Sequence, residues 1–306
     1  MAPGGETLRQ DTGDTTGRVT PETARKMWRS LEPIHGLIYF APEAAAAYRA
    51  IGVDEDRMGY FASRAAPMGA VGAEVVIATF FNFYPPLVHR VVPRCWTLTS
   101  PAAILAARLD AADEALRRIL GDEVVASPAM ARAAELARTA ATAPTMSLSG
   151  RPLYAGHASL EWPRDPHLVL WHALSLLREY RGDGHIAAMT AEGVDGCEAL
   201  VIHGATGDVP AAVLQGSRAW PDDEWAAAVG RLTDRGWLDG SGALTTAGTE
   251  HRQRVEDITD RQAAAPWIHL GAEGCDELRT LGREYSKAVV AAGTFSGGLP
   301  GARPPA

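Results

Sequence analysis

The chain has 306 residues, of which 46% are hydrophobic and 22% charged, and its formal net charge is -8. That length accommodates two domains with separate cores, and the acidic balance argues against a general nucleic-acid binder, which carries a basic face. The three cysteines are far apart and form no C-x-x-C, which argues against a disulfide framework and a four-cysteine zinc site and for buried thiols in a reducing cytoplasm.

In chain order, residues 1–20 are polar, lack an apolar core and read as disordered. Thr20-Pro21-Glu22 is a helix start, with a cap, a proline at the first position and an acid in the first turn; the helix is expected to reach His35. Pro42-Glu43 opens a second helix, ending near Gly52. Asp54 is placed to cap a third, Glu55 to Ala66, and an apolar helix follows from Ala73 to Phe83 until Pro85-Pro86 interrupts it. Ser100-Pro101 and Ser127-Pro128 start helices that reach Leu120 and Ala141. Residues 143–163 read as a linker. A helix is then expected over Leu168–Arg181, with a break at Gly182-Asp183-Gly184 and a further helix over His185–Glu192. Asp195 caps the next helix, and Pro221-Asp222-Asp223-Glu224 opens one that reaches Arg235. Residues 292–306 read as a disordered tail. No apolar run reaches the roughly 18 residues of a membrane span, so no membrane association is expected.

Two stretches of the chain share a pattern. Trp28-x2-Leu31-x3-His35, Gly52-Val53-Asp54, Trp96 and Arg108-Leu109 are matched by Trp171-x2-Leu174-x3-Arg178, Gly193-Val194-Asp195, Trp220 and Arg231-Leu232. The reading is mainly α, with two pseudo-repeated domains over 21–142 and 164–291, and the repeated tryptophans as core. After Arg231-Leu232, Trp237-Leu238, the turn Asp239-Gly240-Ser241-Gly242 and a second short strand form a hairpin entering a helix, as in the wing of a winged helix.

At these residues the chain resembles an actinobacterial family of tandem helix-turn-helix, winged-helix-like proteins. The resemblance is carried by Trp28…Leu31-Glu32-Pro33-x-His35…Tyr39-Phe40, by Tyr60-Phe61-Ala62-x-Arg64-x-Ala66-Pro67-x-Gly69, and by Leu177-Arg178-Glu179-x-Arg181-Gly182-Asp183-Gly184-His185. It implies two mainly helical domains over about residues 22–292 and brings no chemistry with it.

Three constellations carry polar groups suited to chemistry. His35-x3-Tyr39-x3-Glu43 would lie on one face of a continuous helix, although Pro42 points to a new helix and to Glu43 as a first-turn acid. Arg178, Glu179, Arg181, Asp183 and His185 crowd the expected break, where arginines suit a carboxylate or phosphate and Asp183 is placed either to orient His185 or to cap its helix. Arg64 and Asn82 sit in apolar stretches beside Tyr60-Phe61 and Phe83-Tyr84. They form either internal pairs, Arg64 with Glu74 or Glu32, or the polar anchors of an aromatic-lined pocket. No zinc-hydrolase, nucleophile-elbow, P-loop or dinucleotide motif is present.

These residues lead to the expectation of a small-molecule-binding protein, extending to an enzyme of specialised metabolism, with its site at the domain junction. His185, Asp183 and His35 are the acid–base candidates, and Arg64, Arg178, Arg181, Tyr39, Glu43 and Asn82 the binding candidates, for a ligand with an acidic group. The pattern selects no reaction, cofactor, metal or oligomeric state. The alternative is a winged-helix DNA-binding regulator reading bases with Arg231 and Arg235, but the acids that open that helix match DNA phosphates poorly.

Overall fold

The computed structural model describes residues 18–295. Of the segments expected to be disordered, residues 1–17 and 296–306 lie outside this range. The described chain is mainly helical. Its helices are α1 (Pro21–Gly36), α2 (Pro42–Ala50), α3 (Asp56–Ala65), α4 (Ala73–Phe80), α5 (Pro85–Leu98), α6 (Pro101–Leu120), α7 (Asp122–Val125), α8 (Pro128–Ala141), α9 (Pro152–Ala158), α10 (Pro166–Ala191), α11 (Gly196–Gly204), α12 (Ala211–Arg218), α13 (Asp222–Asp234), α14 (Thr246–Gln262) and α15 (Ala265–Ala291). Among the described residues, no helix is long and apolar enough to cross a membrane.

Several helix starts follow local chemistry. The Ser100 and Ser127 hydroxyls accept from the amides of Ala103 and Met130, each at 3.1 Å, with a proline at the first helical position. Asp195 accepts from the Cys197 and Glu198 amides (2.9 and 2.8 Å), while the Glu198 carboxylate accepts from the Asp195 amide at 3.1 Å, a capping box. Asp54 does not cap in this way: α3 starts two residues later, with Glu55 at the cap position and no side-chain cap bond. Pro85-Pro86, expected as an interruption, opens α5, because a proline is tolerated where the first-turn amides have no helical partner.

Helix α10 runs unbroken through Gly182-Asp183-Gly184, which corrects the expected break. Tertiary packing outweighs the helix cost of glycine here. A Cβ on Gly184 would lie 2.9 Å from Arg151 Nη1 and 3.1 Å from Gln262 Oε1, so glycine lets α9 and α14 close on α10. Asp183 does not cap a helix after the break. Its Oδ2 accepts from the Tyr154 amide (2.9 Å) and so serves the N-terminus of α9. That helix lies inside the expected linker.

The apolar core divides differently from the expected boundary. The larger core joins residues from α1 to α9 with Leu168–Tyr180 of α10 and with Cys275, Leu278, Tyr285 and Val289 of α15. The smaller core contains Ala188, Met189, Val194, Val201, Leu232, Leu238 and Val255. Helix α10, 26 residues and roughly 39 Å long, contributes to both.

Between the cores, α4 ends at Phe81 with φ 60°, and residues 81–84 turn onto the second unit. There the Trp220 indole donates to the Asn82 carbonyl (2.9 Å), and the Tyr84 amide donates to the Arg218 carbonyl (3.0 Å). After α13, Leu238 and Leu244 form an isolated antiparallel bridge. Past α15, Phe295 packs edge-on against Phe40 with centroids 5.1 Å apart, so this residue of the expected tail is held against the body.

Candidate functional site

At the centre of the molecule α1, α3 and α10 bring charged groups into the interior. Glu179 is fully buried. One of its oxygens accepts from Arg178 Nη1 at 2.7 Å, and the other lies 3.5 Å from Arg64 Nε. Burial alone would raise this carboxyl, but the Arg178 and Arg64 guanidiniums override it and hold it well below the usual range. Arg64 also donates to the Tyr60 hydroxyl (3.1 Å) and stacks on Phe80, 4.3 Å from the ring centre. Its partner is therefore Glu179, not Glu74 or Glu32. Glu32 accepts from the Trp28 indole (3.1 Å) and lies 3.8 Å from Arg178 Nε. Crowding strips water from the Glu32 carboxyl and raises it to about 7, against the pull of Arg178.

Behind this cluster His35 is 1% exposed. The Ser175 hydroxyl donates to the Trp171 carbonyl (3.0 Å), so it accepts from His35 Nδ1–H (3.0 Å), and His35 Nε2 accepts from the Tyr39 hydroxyl (3.3 Å). Burial, reinforced by Arg178, keeps this imidazole neutral, well below its ordinary titration range. Burial also pushes the Tyr39 phenol up to about 12. The hydrogen bonds of this string therefore point one way.

Two cavities open where the halves meet, and both are lined by Trp28, Arg29 and Arg178. The first, about 450 Å³, is also lined by Glu32, Tyr39, Phe40, Tyr60, Arg218 and Phe295. The second, about 370 Å³, is lined by Asn82, Arg181, His185, His203, His251 and Glu256, with an apolar wall of Met189, Val194, Leu200, Ile202 and Val255. Arg218 is held over Phe83 (4.8 Å) and donates to the Ser217 hydroxyl (2.9 Å). No carboxylate of the described residues comes within 4 Å of it. Burial lowers its pKa, and the neighbouring Arg64 and Arg57 add to this.

The sequence candidates thus separate. Arg178 lines both cavities, Tyr39 the first, and Arg181, His185 and Asn82 the second. Arg181 is tied to Asp260 (2.8 Å) and lies over the Trp28 ring (5.0 Å). The Thr259 hydroxyl donates to the Val255 carbonyl (2.7 Å), so it accepts from His185 Nδ1–H (2.9 Å), and burial lowers the His185 pKa. Arg64 and His35 stand behind Tyr60 and Tyr39 without lining either space. Asp183, raised to about 6 by burial, is occupied by the α9 amide and does not orient His185. Glu43 is committed to Arg118 of α6 and stands apart from His35, because Pro42 starts a separate helix.

Several lining residues were not anticipated as site residues, among them Arg29 and Glu32. Trp28 was expected as core and lines both cavities. Arg218 sits at the end of a helix that no motif marked, and Phe295 lies in the expected tail. Among the described residues, no group of three or more His, Cys, Asp or Glu side chains is arranged to hold a metal ion. The sequence model of a helix-turn-helix family matches residues 24–296. No curated protein and no solved structure matches the chain.

Proposed function

Because the chain belongs to that helix-turn-helix family, we propose that it uses the helical scaffold to bind a small, acidic, ring-containing molecule between its two halves. The observation that carries this reading is the first cavity. It combines Arg178, Arg29 and an Arg218 without a carboxylate partner among the described residues with the side chains of Trp28, Tyr39, Phe40, Tyr60 and Phe295. A cavity of that size, mostly apolar with a few convergent polar groups, suits a small ligand, and guanidiniums suit its acidic end. His185, on the adjoining cavity, is the acid–base candidate for any transformation of the bound molecule, and His35, behind Tyr39, is a positioning residue.

The test is calorimetric titration with 1-naphthoate as probe. Arg218→Met is expected to weaken binding by about ten- to a hundredfold, the range of one charge-assisted hydrogen bond, without lowering the melting temperature. A wild-type chain that binds no aromatic acid sinks the proposal. The pH dependence supplies a second check. Glu32 releases its proton as pH rises through about 7, and the carboxylate formed repels an anion beside Arg178. Affinity is therefore expected to fall by up to about tenfold for each pH unit above 7, and Glu32→Gln to flatten that slope.

In the same reading the two halves are one scaffold used twice. Gly52 and Gly193 both adopt positive φ (86° and 70°), and the amides of Val53 and Val194 each bond to the carbonyl five residues earlier. The Leu238–Leu244 bridge after α13 supports a small wing and, with the helix-turn-helix family, favours DNA binding. Against it, Arg231 is paired to Asp195 and Glu198 (2.6 and 2.7 Å) and Arg235 to Glu198 (2.6 Å), while α13 opens with Asp222, Asp223 and Glu224. The arginines that would read bases are held by α11, so the small-molecule reading is preferred.

A further inference from the structure

Arg108 of α6 is 2% exposed, yet no carboxylate of the described residues lies within 4 Å of it. A buried charge of this kind normally has a counter-ion, because desolvating it alone is costly. Among the described residues, its guanidinium contacts only uncharged groups. Nη1 donates to His157 Nε2 (3.3 Å), and Nη2 donates to the Tyr39 hydroxyl (3.5 Å). The Leu153 carbonyl can only accept, so His157 Nδ1 carries the proton (2.9 Å), and its Nε2 has only a lone pair to offer. The guanidinium also lies over the Trp171 ring, 4.9 Å from its centre. Among the described residues, its Nε has no hydrogen-bond partner, and neither has Nε2 of the buried His172. The fully buried Glu179 is already flanked by Arg64 and Arg178.

Arg108, His157, Trp171 and His172 line one cavity of about 210 Å³, walled by Leu105, Leu109 and Leu160. Glu161 stands exposed at the rim, and its carboxylate does not pair with Arg108. The space lies on the α6, α9 and α10 side of the larger core, and it shares no lining residue with either cavity at the junction. We infer that this cavity is a second binding site, for a small carboxylic acid with an apolar body, whose carboxylate pairs with Arg108. Pockets for drug-sized ligands span about 300–1,000 Å³, so the occupant is a fragment of roughly one ring. The apolar walls favour a carboxylate over inorganic phosphate, which would leave them unfilled.

The experiment is a calorimetric titration of the full chain with benzoate and, separately, with inorganic phosphate, in wild type and in Ala106→Trp, Arg108→Met and Arg218→Met. Ala106 is exposed at the mouth of the cavity, so a tryptophan there fills the space without touching the buried network. Its unchanged melting temperature separates blockade from unfolding, which Arg108→Met alone would not. Saturable benzoate binding is expected in wild type and Arg218→Met, with an affinity loss of at least tenfold in Ala106→Trp and Arg108→Met and weaker binding of phosphate throughout. Absence of saturable benzoate binding in wild type overturns the inference, as does wild-type affinity in Ala106→Trp. Loss in Arg218→Met with retention in Ala106→Trp would assign the benzoate to the junction and also overturn it. The junction proposal stands or falls separately, on 1-naphthoate and Arg218.

Discussion

Glu179→Ala is expected to destabilise the fold by about 3–5 kcal/mol, the usual cost of removing one partner from a buried ion pair. The reason is the company the carboxylate keeps. Two guanidiniums, Arg64 and Arg178, meet on a side chain with no exposure. Without it Arg64 retains the Tyr60 hydroxyl and the Phe80 ring, both uncharged, while Arg178 retains only Glu32 at 3.8 Å. Glu32, itself raised to about 7, is only about half ionised at neutral pH. Urea denaturation of the two proteins measures the difference. A loss below about 1 kcal/mol would mean that water or a shifted side chain replaces the carboxylate, and that this site tolerates unpaired charge.

Gly196→Ala is expected to destabilise by about 1–3 kcal/mol, the cost of overpacking, although alanine is the better helix former by up to about 1 kcal/mol. The two effects have opposite signs, so denaturation curves decide between them. Gly196 is the first residue of α11, and a Cβ there would run into the Phe81 carbonyl oxygen and crowd the Asn82 backbone. Both obstacles are main chain and cannot rotate away. Phe81 already holds a positive φ, which a bulky residue rarely adopts, so the segment that would have to retreat is the one that joins the halves through Asn82 and Trp220. A stability gain would show that this contact is loose.

Where a signal is local, the amino-acid order was sufficient. Ser100-Pro101, Ser127-Pro128 and Asp195…Glu198 start helices because a hydroxyl or carboxylate two or three residues away satisfies the free amides. The Gly182-Asp183-Gly184 break was misread because what overrides glycine's weakness lies on other helices, at Arg151 and Gln262. The candidate site divides in the same way. Arg178, Arg181 and His185 were recognisable by their density on one stretch of chain. Glu179 sits next to Arg178 in sequence, where side chains on a helix do not normally face each other, and its role depends on Arg64 arriving from a helix more than a hundred residues earlier. Arg218 carried no signal, since what distinguishes it is the absence of an acid in space. His185 and Asp183 look like a dyad on paper, but in the fold they serve Thr259 and Tyr154.

The division of the cores ties the early part of the chain to a late helix. Leu31 and Ile34 near the start of the chain pack with Leu278, Tyr285 and Val289 near its end, and the Ser286 hydroxyl donates to the Ser30 carbonyl at 2.7 Å. The smaller core, from Ala188 to Val255, is complete before α15 emerges. Domains usually fold from the N-terminus as they are made. Here α1 can pack on α10 once that helix is made, but the rest of its apolar face stays uncovered until α15 follows. The first cavity, lined by α1 on one side and Phe295 on another, therefore cannot close before α15 and Phe295 have been made.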